Sequence, residues 1–322
     1  MTTDATSDPA DPRGPAAAHA GAAAGSLPLA ERVLAAEAAW TESAGMPSDE
    51  LVGDVRSIVA ELVSALEAGE FRAATPDATV EGGWRVDPWV KTGILMGFRL
   101  PGMIDLRDGP ILAARDKAAY GLLDLLESDA ANAASAAGAP WRVVPGGSAA
   151  RSGVHLEPGV TIMPPSYVNI GAWVGRGTMI DSHVLVGSCA QVGEGVHLSA
   201  GVQIGGVLEP AGARPVIVED GAFVGSQAGL YEGVTVSRGV VIGAGTLITG
   251  QSRLIDLVNE RELRGTPEAP LVVPQDAVVV PGTRPAGSAW AGRRGLSVSV
   301  PLIIKYRDAT TDARVALEDA LR

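Results

Sequence analysis

A six-residue period of aliphatic side chains constrains this sequence more than any other feature. From residue 168 to 204, and again from 218 to 248, every sixth residue is Val, Ile or Leu. A period of six fits neither the 3.6-residue turn of a helix nor a hairpin meander. It is typical of a parallel β-helix, in which short strands and tight turns stack into a solenoid. The residues are Val168, Val174, Ile180, Val186, Val192, Leu198, Ile204, Val218, Val224, Leu230, Val236, Ile242 and Ile248.

The residues between these aliphatic positions also follow a pattern. Outside an interruption at 207–217, a small or β-branched residue comes four positions after each aliphatic residue, and glycine often comes directly after it. We therefore predict that the aliphatic residues point inward, that glycine meets the backbone demands of the turns, and that 207–217 loops out of the stack. One step carries Asp181 where others carry glycine, which makes this acid the first candidate for a chemical role.

The chain divides into four predicted parts. The first, 1–28, is rich in Ala, Gly, Pro and Asp and is expected to be a disordered tail. An α-helical or mixed α+β domain is predicted for 29–140, the parallel β-helix for 141–285, and a C-terminal strand and helix for 286–322. The fold class is therefore mainly β.

Within these parts the sequence predicts individual elements. Apolar spacings of three and four indicate helices between 29 and 72, with Ser48 as an N-cap, and another short helix near 112–135. The segment VVPQDAVVV (272–280) predicts a last partial coil. PLIIKYRD (301–308) predicts a late strand, and the last thirteen residues predict a terminal helix.

Composition narrows the function. A net charge of −12 and a pI near 4.8 argue against binding to nucleic acid or to an anionic membrane. No apolar run is long enough for a transmembrane helix, and the first thirty residues lack the basic start of a secretory signal. The single cysteine, Cys189, excludes an intrachain disulfide and fits a cytoplasmic location. We interpret it as a small core residue rather than a nucleophile.

A hexapeptide solenoid does not settle function, because this fold serves acyltransferases, γ-type carbonic anhydrases and structural proteins. A carbonic anhydrase needs three histidines on zinc. The candidates His155, His183 and His197 are 28 and 14 residues apart, unlike that family's pair five apart with a third well upstream. We therefore predict no metal site, and we interpret His183 and His197 as outward-facing polar residues.

Several segments go beyond the bare repeat. They are GGWRVDPWVKTGILMGFRL, WRVVPG at 141–146, YVNIG, GSCAQ and GGVLEP. Together they resemble the tetrahydrodipicolinate N-succinyltransferase family over roughly residues 48–308. The resemblance implies a left-handed parallel β-helix, a homotrimer and active sites between neighbouring subunits. It also implies transfer of a succinyl group from succinyl-CoA to the amino group of ring-opened L-2-amino-6-oxopimelate, in lysine and diaminopimelate biosynthesis.

The resemblance assigns roles to particular residues. Asp181, in the segment MID, matches the family's carboxylate, and it is our candidate for the general base that deprotonates the attacking amine. Arg142 matches an arginine that binds the substrate carboxylate. Apart from the resemblance, backbone amides near Gly205 and Gly206 could serve the oxyanion, because glycine permits close approach. Each residue also has a structural interpretation: Asp181 and the two glycines as turn residues, and Arg142 as a solvated charge.

Coenzyme A lies along the groove between solenoids in this family and touches the backbone at successive turns. We expect succinyl-CoA as a cosubstrate and no bound prosthetic group. The residues that we expect to bind it are His183, Ser226, Gly243, Ala244 and Lys305, with Arg293 and Arg294 as further candidates for its phosphates.

One position departs from the family pattern. Some members carry a second acidic residue where this chain has Gly229, whereas Glu232 matches a later glutamate. The departure favours a mechanism with one carboxylate, Asp181. It also leaves open a related CoA-dependent N-acyltransferase with another donor or acceptor, such as acetyl-CoA or a secondary-metabolite amine. A non-catalytic solenoid scaffold is a third possibility, against which the intact WRVVPG and MID segments argue.

Overall fold

The six-residue period corresponds to short strands that stack as a left-handed parallel β-helix in the computed structural model. The structure describes residues 27–108, 112–125 and 141–307. Nearly all of the predicted tail, and the predicted terminal helix, lie outside these ranges. In the described parts of the chain, no helix is both long and apolar enough to cross a membrane.

Three helices pack together before the solenoid: α1 (Leu29–Glu42), α2 (Asp49–Glu67) and α3 (Pro88–Arg99). The Oγ of Ser48 accepts a hydrogen bond from the Leu51 N–H at 3.2 Å, which confirms Ser48 as the N-cap of α2. The helices bury an apolar cluster that includes Val33, Val55 and Ile94.

Short strands connect these helices to the solenoid. Strands β1 (Ala74–Pro76) and β2 (Trp84–Val86) pair antiparallel, with a 3-10 turn at Glu81–Gly83 between them. Strands β3 (Met103–Asp108) and β4 (Leu112–Lys117) form a second antiparallel pair. The helix predicted near 112–135 is therefore wrong at 112–117. The alanine-rich segment has helical propensity, but pairing with β3 overrides it; from residue 126 onward the predicted helix lies outside the described residues.

The solenoid has three faces, which we call sheets A, B and C in the order in which the chain visits them. Sheet A contains β5 (Arg142–Val143), β8 (Thr161–Ile162), β11 (Met179–Ile180), β14 (His197–Leu198), β17 (Phe223–Val224) and β20 (Val241–Ile242). Sheet B contains β6 (Ala149–Ala150), β9 (Tyr167–Val168), β12 (Leu185–Val186), β15 (Gln203–Ile204), β18 (Gly229–Leu230) and β21 (Leu247–Ile248). Sheet C contains β7 (His155–Leu156), β10 (Trp173–Val174), β13 (Gln191–Val192), β16 (Ile217–Val218), β19 (Thr235–Val236) and β24 (Val272–Val273). Each corner is named by the two sheets that it joins.

The core of the solenoid confirms the predicted inward positions. All thirteen aliphatic residues of the period are at most 1% exposed, and the small or β-branched residues four positions later are buried as well. The stack begins earlier than the period suggested, since Ala150, Leu156 and Ile162 are buried and pair with Val168, Val174 and Ile180 of the next coil.

Two insertions leave the stack, and both leave from corner B–C. Strand partners in sheet C are 18 residues apart at Trp173 and Gln191, but 26 apart at Gln191 and Ile217, so the first insertion adds eight residues. It is the loop predicted at 207–217. The second insertion follows β21 and contains the antiparallel strands β22 (Arg253–Asp256) and β23 (Arg261–Arg264).

The C-terminal part extends sheet A. Strand β25 (Ala277–Pro285) pairs with β20, and β26 (Ser297–Tyr306) pairs antiparallel with β25. A short helix, α4 (Ala289–Gly292), connects them. The late strand predicted from PLIIKYRD is therefore the second half of β26.

The N-terminal domain covers sheet C through polar and aromatic contacts. Arg72 donates from Nε to Gln191 Oε1 at 2.9 Å, and its guanidinium lies 4.0 Å from the ring centroid of Trp173. Burial lowers the pKa of Arg72 to about 10. The His155 ring stacks on Trp173 at 4.0 Å, with Nδ1 2.8 Å from the Glu67 carbonyl oxygen. These contacts hold α2 against the solenoid.

Cys189 is buried, as predicted, but it packs outside the solenoid core. Its side chain belongs to the apolar cluster of the N-terminal domain, with Ile94 and Ile170. Burial raises the pKa of the thiol to about 12, which keeps it protonated and a poor nucleophile.

The buried His155 predicts a pH-dependent stability. Burial, aided by the charge of Arg72, lowers the pKa of His155 below its ordinary value near 6.5, although the Glu67 carbonyl opposes the shift. The folded state therefore binds fewer protons than the unfolded state, so this contribution is present above pH 6.5 and is lost as the pH falls below it. His155→Gln should flatten the fall in unfolding free energy between pH 7 and 5, by at most about 1.4 kcal/mol per pH unit.

The measurement is urea unfolding at several pH values and one protomer concentration. The wild-type chain, measured in parallel, is the reference. A His155→Gln slope equal to that of the wild type would contradict the assignment.

Candidate active site

Corner A–B aligns most of the residues that the sequence nominated. In sheet A, parallel pairing aligns Met179 with His197, Phe223 and Val241 on successive strands, so these four residues form one column along the solenoid axis. Two residues beyond Met179 and Val241 lie Asp181 and Gly243, so three strand spacings of about 4.8 Å separate them along the axis, roughly 14 Å in all. His183 lies on the same corner. The same register places Ser226 and Ala244 at equivalent positions of consecutive coils.

The Asp181 carboxylate is on the outside of this corner. The inward-facing Ile180 precedes it, and its N–H donates to the Leu198 carbonyl at 2.9 Å, which fixes the backbone. The Ser166 hydroxyl donates to the Asp181 carbonyl at 2.7 Å. The carboxylate Oδ1 accepts the Ser182 N–H at 2.7 Å, while Oδ2 accepts no hydrogen bond from any described residue. One carboxylate oxygen is thus available as a proton acceptor.

The residues on this corner that we expect to bind the coenzyme differ in their exposure and in whether their backbone N–H groups are already hydrogen-bonded. Ser226 and Ala244 are exposed, and no described residue accepts a hydrogen bond from their N–H groups. Gly243 is buried, and its N–H donates to the Val279 carbonyl at 2.6 Å. The His183 ring is exposed, and its backbone N–H donates to the Pro165 carbonyl at 2.7 Å. Ser226 and Ala244 therefore present free amides at successive turns, whereas the Gly243 amide is already used.

Arg142 lies on sheet A, near Asp181. It pairs with Thr161, which pairs with Met179, so two strand spacings of about 4.8 Å separate Arg142 from the strand that leads to Asp181. Its side chain is exposed and makes no ion pair with a described residue. An exposed guanidinium therefore lies on sheet A, two strands from the strand that leads to Asp181.

Gly205 and Gly206 lie at corner B–C, one face of the solenoid away from Asp181. They begin the first insertion and line a cleft of about 680 Å³ that the two insertions enclose. The Gly206 N–H donates to no described residue, so it is a free amide, as an oxyanion site requires. Within one chain, the structure does not bring Gly206 and Asp181 together.

The loop that follows Gly206 is anchored by residues that the sequence analysis did not nominate. Lys91 on α3 is fully buried, and its ammonium donates to the carbonyl of Ala213. Arg214 donates to the Glu81 carbonyl at 2.8 Å. Burial lowers the pKa of Lys91. The sequence feature that could have indicated this anchor is the single lysine in the apolar stretch WVKTGILM, because a buried lysine needs a hydrogen-bond or ionic partner.

The basic candidates of the C-terminal part separate into two groups. Lys305 pairs with Val278, which pairs with Val241, so Lys305 lies two strands beyond Val241. Its side chain is half-buried. Arg293 and Arg294 lie at the opposite end of the β25–β26 hairpin, where Arg294 stacks on Trp290 at 4.1 Å. Lys305 is thus level with Val241 on the extended sheet A, whereas these two arginines lie at the far end of the hairpin.

The three histidines lie apart from one another. His155 is under the N-terminal domain, His197 faces Phe223 on sheet A at 5.0 Å between ring centroids, and His183 is on corner A–B. No cluster of three or more His, Cys, Asp or Glu side chains suited to a metal ion occurs among residues 27–108, 112–125 and 141–307.

Comparison with known proteins gives consistent matches. Residues 34–100 match the model of the N-terminal region of tetrahydrodipicolinate N-succinyltransferase, and residues 215–250 match that of the hexapeptide repeat of succinyl-transferase. The 2,3,4,5-tetrahydropyridine-2,6-dicarboxylate N-succinyltransferase of Methylorubrum extorquens is 38% identical over 287 residues, 89% of this chain and 96% of the relative. The same enzyme of Methylorubrum populi is 39% identical, with equal coverage.

A solved structure from Campylobacter jejuni, described as a 2,3,4,5-tetrahydropyridine-2-carboxylate N-succinyltransferase, has a TM-score of 0.39 and 14% identity. The match covers 77% of this chain and 62% of that chain.

Proposed function

This chain belongs to the tetrahydrodipicolinate N-succinyltransferase family, and we propose that it transfers a succinyl group from succinyl-CoA to the amino group of L-2-amino-6-oxopimelate. The acceptor is the ring-opened form of tetrahydrodipicolinate, and the reaction serves lysine and diaminopimelate biosynthesis in the cytoplasm. The observation that carries the proposal is corner A–B, where a carboxylate with one free oxygen lies in line with exposed backbone amides of later coils.

The proposed mechanism uses Asp181 as general base. Its free carboxylate oxygen takes a proton from the acceptor's amino group, and the nitrogen lone pair forms a bond to the thioester carbonyl carbon. The carbonyl oxygen becomes an oxyanion, which the Gly206 N–H stabilises. The tetrahedral intermediate then collapses, the C–S bond breaks, and the thiolate of coenzyme A takes up a proton. Arg142 holds an acceptor carboxylate during these steps.

The coenzyme runs along corner A–B in this proposal. The free amides of Ser226 and Ala244 bind the pantetheine arm at successive turns, beside Gly243, while His183 contacts the coenzyme near Asp181. Lys305, two strands past the last of these turns, faces its phosphates. Acyl transfer from a thioester to an amine needs no prosthetic group, so succinyl-CoA acts only as cosubstrate.

The active site is completed between subunits of a homotrimer. Asp181 and Gly206 occupy different corners of one solenoid, so one chain cannot apply both groups to the same carbonyl carbon. A threefold arrangement brings corner A–B of each subunit against corner B–C of its neighbour and makes three equivalent sites.

Thiol release from coenzyme A tests the proposed reaction. The chain should release thiol from succinyl-CoA only when the amino-oxopimelate acceptor is present, and more slowly from acetyl-CoA. Acceptor-dependent release with acetyl-CoA alone would contradict the succinyl donor. No release with either donor would contradict acyl transfer to this acceptor.

Asp181→Asn tests the general base. The amide cannot take the proton, so turnover should fall by about 10² to 10⁴, while the oligomeric state and the unfolding midpoint stay as in the wild type. Glu194→Gln is the matched control, because Glu194 is an exposed turn carboxylate on corner C–A and should keep wild-type turnover. Wild-type turnover in Asp181→Asn would remove this residue from the mechanism.

A further inference from the structure

Lys91 is fully buried, and no counter-ion compensates its charge. It lies on α3, which also buries Val90 and Ile94. Among the described residues, no carboxylate pairs with the Lys91 ammonium, and its hydrogen bond goes to the backbone carbonyl of Ala213. A buried ammonium costs stability unless it is paired with an anion. Stability alone therefore does not explain a lysine at this position.

The carbonyl that accepts this hydrogen bond belongs to the wall of the cleft. Ala213 is in the first insertion, and it lines the 680 Å³ cleft together with Gly206, where that insertion begins. Arg214, the next residue, donates to the Glu81 carbonyl at 2.8 Å. Two consecutive residues of the wall are thus held by two different elements of the N-terminal domain, α3 and the 3-10 turn.

The other end of the same wall is held by the solenoid. Directly after Gly206, the Val207 N–H donates to the Ser188 carbonyl at 3.2 Å. Leu208 is half-buried and packs against the apolar cluster of the N-terminal domain. The wall from Gly206 to Ala213 is therefore short and held at both ends. Release of Ala213 would leave the segment that follows the Gly206 amide held at one end.

We propose that Lys91 is a positioning residue for acyl transfer, because its ammonium fixes, through the Ala213 carbonyl, the cleft wall that begins at Gly206. This inference rests on the function proposed above, in which the Gly206 N–H stabilises the oxyanion. The buried charge costs stability and in return holds the wall in one place. The N-terminal domain thus takes part in catalysis, although it contributes no group to the reacting atoms.

Lys91→Met tests the proposal, because methionine fills a similar space and removes the charge and the donor. Turnover should fall about tenfold to a hundredfold, since a displacement of about 1 Å in a positioned group has effects of this size. The KM for succinyl-CoA should stay as in the wild type, because the residues proposed to bind it are on corner A–B. The Tm should stay the same or rise, because an unpaired buried charge is removed.

Lys117→Met is the matched control. Lys117 is a half-buried lysine on β4 whose ammonium also donates to a backbone carbonyl, that of Leu100, at 3.2 Å. It does not line the cleft, so its variant should keep wild-type turnover. An equal loss of turnover in the two variants would be a general effect of losing a lysine and would overturn the inference.

Hydrogen exchange tests the attachment of the wall without reference to activity. The amides of Val207 and Ala213 should exchange faster in Lys91→Met than in the wild type, because the segment that contains them is released. The Leu271 N–H, which donates to the Gly250 carbonyl at 2.8 Å in the second insertion, should keep its wild-type rate.

With an active wild type, any of three results for Lys91→Met would overturn the inference alone. The first is turnover within about twofold of the wild type. The second is a lower Tm or a failure to fold, which would make Lys91 a residue that supports the fold itself. The third is unchanged exchange at Val207 and Ala213. A wild type without acceptor-dependent thiol release would remove the proposed function and this catalytic role together, and exchange would still decide whether Lys91 holds the wall.

Discussion

The burial of one aliphatic side chain per face in every coil is the interaction on which the rest of this structure depends. Each fully buried Val, Leu or Ile contributes about 1.5–3 kcal/mol from the hydrophobic effect, and the period repeats that contribution through the whole solenoid. The same burial fixes the register, because a shift of one residue would turn the aliphatic side chains outward. Because the register is fixed, residues at equivalent positions of successive coils lie above one another along the solenoid axis. Asp181 and Gly243 are aligned for this reason.

The same constraint explains where the structure departs from regularity. Inserted residues cost the stack little when they leave from a corner, because the strands on either side keep their partners. Both insertions use corner B–C, and together they enclose the cleft beside Gly206. The regular coils thus expose backbone amides along corner A–B, while the two insertions form a cleft at corner B–C. Lys91 and Arg214 then hold the first insertion in place.

The sequence was most informative where the repeated burial of aliphatic side chains decides the structure. The inward position of Ile180 and Leu198 follows from the period alone, and the loop at 207–217 follows from its interruption. It failed at 112–117, because an antiparallel partner rather than local propensity decides that segment. The repeat singled out Asp181, but its role, like that of Arg142, came from family resemblance, since the period does not indicate what a turn carboxylate or a surface arginine binds. The Tyr231 ring covers Gly229, where a β-carbon would lie 2.5 Å from the ring. This contact depends on the direction in which one side chain turns after a corner, which sequence spacing does not encode.

The central claim is that the site is shared between copies of the chain, with the base on corner A–B of one and the oxyanion amide on corner B–C of the next. Mixing two inactive variants tests it most directly: Asp181→Asn, and Gly206→Ala, whose β-carbon would lie 2.7 Å from the Ser188 nitrogen and so move the amide. Co-assembled trimers should regain about one quarter of wild-type turnover, because random assembly pairs an intact corner A–B with an intact corner B–C at that fraction of interfaces. A mixture no more active than the two variants assayed apart would contradict the shared site.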